Sequence, residues 1–164
     1  MNFRSMLVFL VIAGFVSMFS APAVLGQKKD GDPNISYRQK VMKSQVVNLR
    51  GIFDIVKKKV PHKRNLALHA QIINNNAKMI LAAFKQRAVE GPTDAKPAIW
   101  ENWKDFEKKA KALQRESAKL VKAARSKKKG AFGAQLKKTG KACGSCHKKF
   151  RKPKEESYKR KKKM

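Results

Sequence analysis

From about residue 35 onward, apolar positions recur at steps of three and four, which is the signature of helices that bury one face. The first such run spans Ile35 to Val60, with Val41, Met42, Val46, Leu49, Ile52, Phe53 and Val56 as its apolar face. Lys40, Lys43 and Lys57–Lys59 fall mostly off that face, Pro33 and Asn34 precede the run, and Pro61 closes it. A second run extends from about Asn65 to Val89 and offers Leu66, Leu68, Ile72, Ile73, Met79, Ile80, Leu81 and Phe84 as core. Glu90–Pro97 reads as a loop by composition. The third run starts at Ala98 and continues to about Arg125, with Ile99, Trp100, Trp103, Phe106, Ala110, Leu113, Leu120 and Val121 on one side. After Gly130, a fourth run from Ala131 to Arg151 carries Phe132, Leu136, Ala142, Cys143 and Phe150. Its glycines at 133, 140 and 144 each weaken a helix by roughly 1 kcal/mol relative to Ala, so tertiary packing must compensate. No alternating strand pattern and no internal repeat is visible. The expected fold is all-α, an antiparallel four-helix bundle with short connections.

The two ends read differently. Met1–Ser5 carries one positive charge, Arg4. Met6–Phe19 is almost wholly apolar, and Ser20–Gly26 supplies small residues that fit cleavage near residue 23 or 26. This is the order of a secretory signal, and its apolar run is shorter than the roughly 20 residues a membrane-spanning helix needs. The expectation is a cleaved leader over residues 1–26, a bundle over 27–152 and an exported, periplasmic protein with no membrane span in its mature form. From residue 153 to 164 the chain is almost all charge, and it is expected to form a flexible basic tail.

Charge changes the picture further. Lys and Arg number 40 against 11 Asp and Glu, a formal net charge of +29. Such a surface steers toward acidic partners, here expected to be acidic redox proteins. A competing reading is a polycationic protein that binds nucleic acid or anionic surfaces without a cofactor. The lysines are spread over every helix instead of forming one stripe, so no specific nucleic acid is expected.

Both cysteines and one of the three histidines fall within Cys143-Gly144-Ser145-Cys146-His147. CxxCH is the attachment pattern of haem c. Residues three apart share one side of a helix, so Cys143 and Cys146 can bond two vinyl groups of one haem, while His147 follows directly with an imidazole for the iron. The same residues fit a thioredoxin-like redox pair, a zinc site completed by His62 or His69, or a simple disulfide. The export signal and the absence of any other cysteine favour one covalent haem c with its iron. Asp54, Asp94, Glu101 and Asp105 form no paired-carboxylate arrangement, and there is no phosphate loop or activated nucleophile, so no enzyme activity is expected.

With these residues in view, the chain resembles cytochrome c′, the helical class II monohaem c-type cytochromes. The likeness rests on Tyr37-Arg38-Gln39-x-x-Met42, Pro97-Ala98-Ile99-Trp100, Ala131-Phe132-Gly133 and Lys141–Arg151 with its late CxxCH. The resemblance implies thioethers at Cys143 and Cys146 and a proximal ligand at His147. It also implies Arg38 beside a haem propionate, Met42 over the distal face and Arg151 near the proximal imidazole. It implies a homodimer too, although mutual repulsion between such basic chains works against pairing through the first two helices. Two readings of the iron stay open. With Met42 as an unbound distal side chain, the haem is five-coordinate and takes NO or CO. With Met42 as a ligand, the protein is a six-coordinate, low-spin electron carrier. Tyr37-Arg38-Gln39 and Pro97–Trp100 lean toward the first.

Overall fold

The first helix begins where its sequence provides a cap. Asp32 accepts the backbone N–H of Asn34 at 2.7 Å, and Pro33, which has no N–H to lose, takes the first helical position. In this computed structural model, which describes residues 31–126 and 128–161, α1 then runs over Pro33–Lys57. The proposed leader, residues 1–26, lies outside the described residues. Lys59, with φ of +58°, turns the chain toward Pro61.

Helix α2 spans Asn65–Phe84. It stops five residues short of the Val89 expected from periodicity, and its last carbonyl takes part in a tertiary bond. The Trp100 indole N–H donates to the Phe84 carbonyl at 2.8 Å, which occupies an acceptor the next helical turn would need. The third run is interrupted as well. A single turn, α3 (Ala98–Glu101), breaks at Asn102 before α4 (Trp103–Arg125). Gly130 adopts a left-handed conformation, φ of +78°, which turns the chain into α5 (Ala131–Phe150). No strand occurs among the described residues beyond an isolated pairing of Ala95 with Arg151.

The four long helices are α1, α2, α4 and α5. Helix α1 packs on α2, α2 on α4 and α4 on α5, but among the described residues no close backbone approach joins α1 to α5. Three sides of the bundle are therefore closed and the fourth is wide. The core divides into two clusters. The larger gathers Val41, Ile80, Phe84, Ile99, Phe106, Leu113 and Phe150, and the other is built on Ile52, Ile73, Leu120 and Leu136. Polar pairs fix how the helices meet. Asn76 donates to Ser44 at 2.8 Å across α1 and α2, and Asn74 donates to Ser117 at 3.0 Å across α2 and α4.

The stretch expected to be a flexible tail takes a defined path as far as it is described. Lys154–Glu156 form a 3-10 turn, Tyr158–Lys161 form the short helix α6, and Ser157 is buried. The anchor is Asp94, whose carboxylate accepts from the Ser157 hydroxyl at 3.0 Å, the Tyr158 N–H at 3.1 Å and Arg151 at 3.1 Å.

Candidate haem site

The CxxCH run lies in the last turns of α5. Its i, i+3 spacing turns Cys143 and Cys146 toward the larger core cluster, and both are half-buried against it. Met42, from the opposite end of the chain, packs on the same cluster from α1. Side chains about a hundred residues apart thus converge from the two helices that flank the wide side of the bundle. An aromatic wall backs them. Phe106 lies 5.2 Å from Phe84, 5.5 Å from Trp103 and 5.4 Å edge-on from Phe150, measured between ring centroids.

The alternatives to haem fare poorly in this geometry. The two cysteines are not joined in a disulfide. Burial pushes the Cys146 thiol up to about 11 and raises that of Cys143, the opposite of the depressed pKa a redox-active CxxC requires. Among the described residues no three His, Cys, Asp or Glu side chains gather around a point that could hold a metal ion unaided. The histidines that a zinc site would have borrowed are elsewhere. His62 is exposed beyond α1, and His69 on α2 is half-buried with its Nδ1 2.9 Å from Asn48 Oδ1.

His147 faces a pocket of about 730 Å³ that Gly144, Lys96, Lys148, Arg151 and Lys152 also line. Desolvation of the ring by the atoms packed around it, and then the charge of Arg151, lower the imidazole pKa and favour the neutral ring that can ligate a metal. Arg151, which lines this pocket, pairs with Asp94 at 3.1 Å. Lys149, next to the histidine, pairs with Asp105 at 2.9 Å and fastens α5 to α4.

Arg38 is the least expected feature of the site. It is only 2% exposed, although it is a cation on a surface helix. Its Nη2 donates to the Ala88 carbonyl and, at 2.8 Å, to the Thr93 hydroxyl. Its guanidinium lies 5.3 Å from the centre of the Trp100 ring and 5.5 Å from that of Phe84. Nη1 is buried and has no partner. A buried guanidinium nitrogen without an acceptor calls for an anion, and a haem carboxylate is one that fits. Sequence reasoning found Arg38 but missed Ala88, Thr93 and Asp94, which hold the two arginines. Only the small polar character of the loop hinted at them.

A helical bundle with one wide side, a CxxCH run on one flank, a methionine on the other and an unanswered buried cation between loop and helix defines a c-type cytochrome of the four-helix-bundle kind. The comparisons narrow the class. The family profile described as Cytochrome C′ matches residues 33–151, and the chain belongs to the cytochrome c′ family. The family's cofactor is one covalently bound haem c with its iron. The chain is 27% identical to a cytochrome c′ of Rhodospirillum rubrum over 143 residues, 87% of this chain and 96% of that one. Among solved structures it is similar to cytochrome c prime from Shewanella frigidimarina, with a TM-score of 0.69 and 27% identity over 74% of this chain and 95% of the other. It is also similar to the nitric oxide complex of a mutant of cytochrome c prime from Alcaligenes xylosoxidans, with a TM-score of 0.65 and 26% identity over 73% and 94% of the two chains.

Proposed function

We propose that this chain is a periplasmic monohaem cytochrome that binds NO or CO at a five-coordinate haem, exchanges electrons with acidic partner proteins, and turns over no organic substrate. The observation that carries the reading is the convergence of Met42, Cys143 and Cys146 on one apolar cluster beside the unpartnered Nη1 of Arg38. When bound, the haem supplies the one-electron couple and the site for a small gas. Cys143 and Cys146 would tether it to α5, and His147 would offer a neutral imidazole to the iron. Arg38 answers a propionate with the one nitrogen its protein partners leave free. Arg151, held by Asp94, keeps a positive charge beside His147. Phe84, Trp103, Phe106 and Phe150 exclude water from the buried face. Met42, packed on the same apolar cluster, would stand against the haem as an apolar wall.

The solved relative with bound nitric oxide supports NO as the ligand. No helix among the described residues is long and apolar enough to cross a membrane, which is compatible with export as a free protein. Electron paramagnetic resonance and optical spectra of the holoprotein test the reading. High-spin ferric iron and ready CO uptake by the ferrous form are expected. A low-spin spectrum with a methionine-to-iron charge-transfer band would overturn it and make Met42 an axial ligand.

A further inference from the structure

Residues 152–161 lie past the stretch that the family profile matches, yet they do not trail away from the bundle. The Lys152 N–H donates to the Asp94 carbonyl at 2.8 Å, and its Nζ donates to the Thr93 carbonyl at 3.2 Å. Further on, the Asp94 carboxylate receives the Ser157 hydroxyl and the Tyr158 N–H. These bonds fold the segment back against the loop that leads into α3.

The result is a concentration of charge. Lys152 and Lys154 from this segment join Lys96, Lys148 and Arg151 around the pocket of about 730 Å³ that His147 faces. Asp94 offsets one of these five charges through its pair with Arg151, which leaves four. Glu155 and Glu156 share the turn with Lys154 but do not line the pocket, and among the described residues no carboxylate does. Like charges repel, and an untethered segment would carry Lys152 and Lys154 apart from the others. Here hydrogen bonds to Thr93 and Asp94 hold them in place.

We propose that this pocket is the docking face for an acidic redox protein, with the folded-back C-terminal segment supplying part of its cationic rim. The inference rests on the electron-exchange reading above and names the surface that performs it. A concave site rimmed by one sign of charge focuses its potential and draws in the opposite charge. The cations surround a hollow and do not run in a stripe, so they fit a protruding acidic loop better than a nucleic-acid backbone. His147 opens onto the same hollow, so a protein seated there docks beside the proposed iron ligand.

The test uses the haem-loaded protein and two variants of equal net charge. Lys148→Glu/Lys154→Glu alters the rim. Lys128→Glu/Lys129→Glu alters exposed lysines just before the other end of α5, roughly 30 Å away along the helix. At 0.1 M salt a charge acts over about 10 Å, so only the rim variant should respond. Its ferrous form should be oxidised about tenfold more slowly by hexacyanoferrate(III), an anion, and faster by tris(phenanthroline)cobalt(III), a cation. A peptide of glutamates should bind the rim variant about tenfold more weakly, and the other variant as tightly as the parent, in isothermal titration calorimetry. Equal responses of the two variants, or none in either, overturn the docking face and leave the electron-exchange reading standing. Tighter binding of a short DNA duplex than of the peptide, lost in the rim variant, assigns the face to nucleic acid and overturns the proposal. A parent protein whose ferrous form reacts with neither oxidant overturns the electron-exchange reading, and this inference with it.

Discussion

Gly51 gives the sharpest test of how α1 is seated. A glycine in the interior of a helix is expected to give up about 1 kcal/mol relative to alanine. Here the ring of His69 occupies the space where a side chain would begin. A Cβ at position 51 would lie 2.7 Å from Cε1 and 2.8 Å from Nε2 of His69. To admit it, the imidazole must swing away and break its 2.9 Å bond to Asn48 Oδ1, an acceptor on a residue only 9% exposed. Losing that bond and stranding its acceptor costs about 2 kcal/mol, which exceeds the helical gain. Gly51→Ala should therefore destabilise the protein by about 1 kcal/mol, a fall of about 4 °C in melting temperature for a domain of this size. In a His69→Ala background the obstruction and the bond are both gone. There the same substitution should stabilise by about 1 kcal/mol, a coupling between the two sites of about 2 kcal/mol. Urea unfolding of the four proteins of this cycle, followed by far-ultraviolet circular dichroism, reads both numbers. If Gly51→Ala stabilises the two backgrounds equally, the ring moves aside freely and the Asn48–His69 bond does not hold α1 against α2.

Other expectations follow from the charged and apolar groups at the surface. Glu116 receives bonds from Lys119 at 2.9 Å and Gln135 at 2.7 Å, and these, Lys119 first, hold its carboxyl below the ordinary 4.5. A depressed carboxylate pKa adds stability that is complete above the unfolded value and fades as pH falls through the folded one. Unfolding midpoints should therefore drop below about pH 4.5 in the parent, and more shallowly in Glu116→Gln. Asp94→Ala removes the carboxylate on which residues 151–158 converge, so trypsin should cut the C-terminal lysines roughly tenfold faster with the bundle intact; an unchanged rate would show that the segment is held by something else. Tyr37, Leu68, Ile72 and Met79 leave apolar surface exposed on α1 and α2 of a strongly cationic chain. Sedimentation should show self-association that strengthens as salt screens the repulsion, and a monomer at every salt concentration would refute it.

Much of the bundle was legible because helix periodicity is a local property. The runs beginning near Ile35, Asn65, Ala98 and Ala131 all became helices, and the spacing of Cys143, Cys146 and His147 marked the chemistry. What stayed hidden depended on partners distant in the chain. Nothing near Phe84 signals that Trp100 will take its carbonyl at the end of α2. Nothing in the run from Lys152 signals that Asp94, some sixty residues earlier, will organise it. Arg38 stood out only through family likeness, since a lone arginine on an amphipathic run reads as a surface cation until Ala88 and Thr93 are seen around it. Gln45 gave no signal at all. A glutamine beside Ser44 and one turn before Asn48 reads as an ordinary polar position, and only its buried, unpartnered Nε2 sets it apart.

The gap between α1 and α5 also bears on the order in which the molecule is assembled. Among the described residues α1 and α5 meet only through α2 and α4, so the four helices form a three-sided trough. A flat, rigid prosthetic group sewn to one rim and gripped by an arginine from the other would become the missing panel. Attachment would then be the closing stage of folding, with the trough standing open to the maturation machinery until the porphyrin is in place.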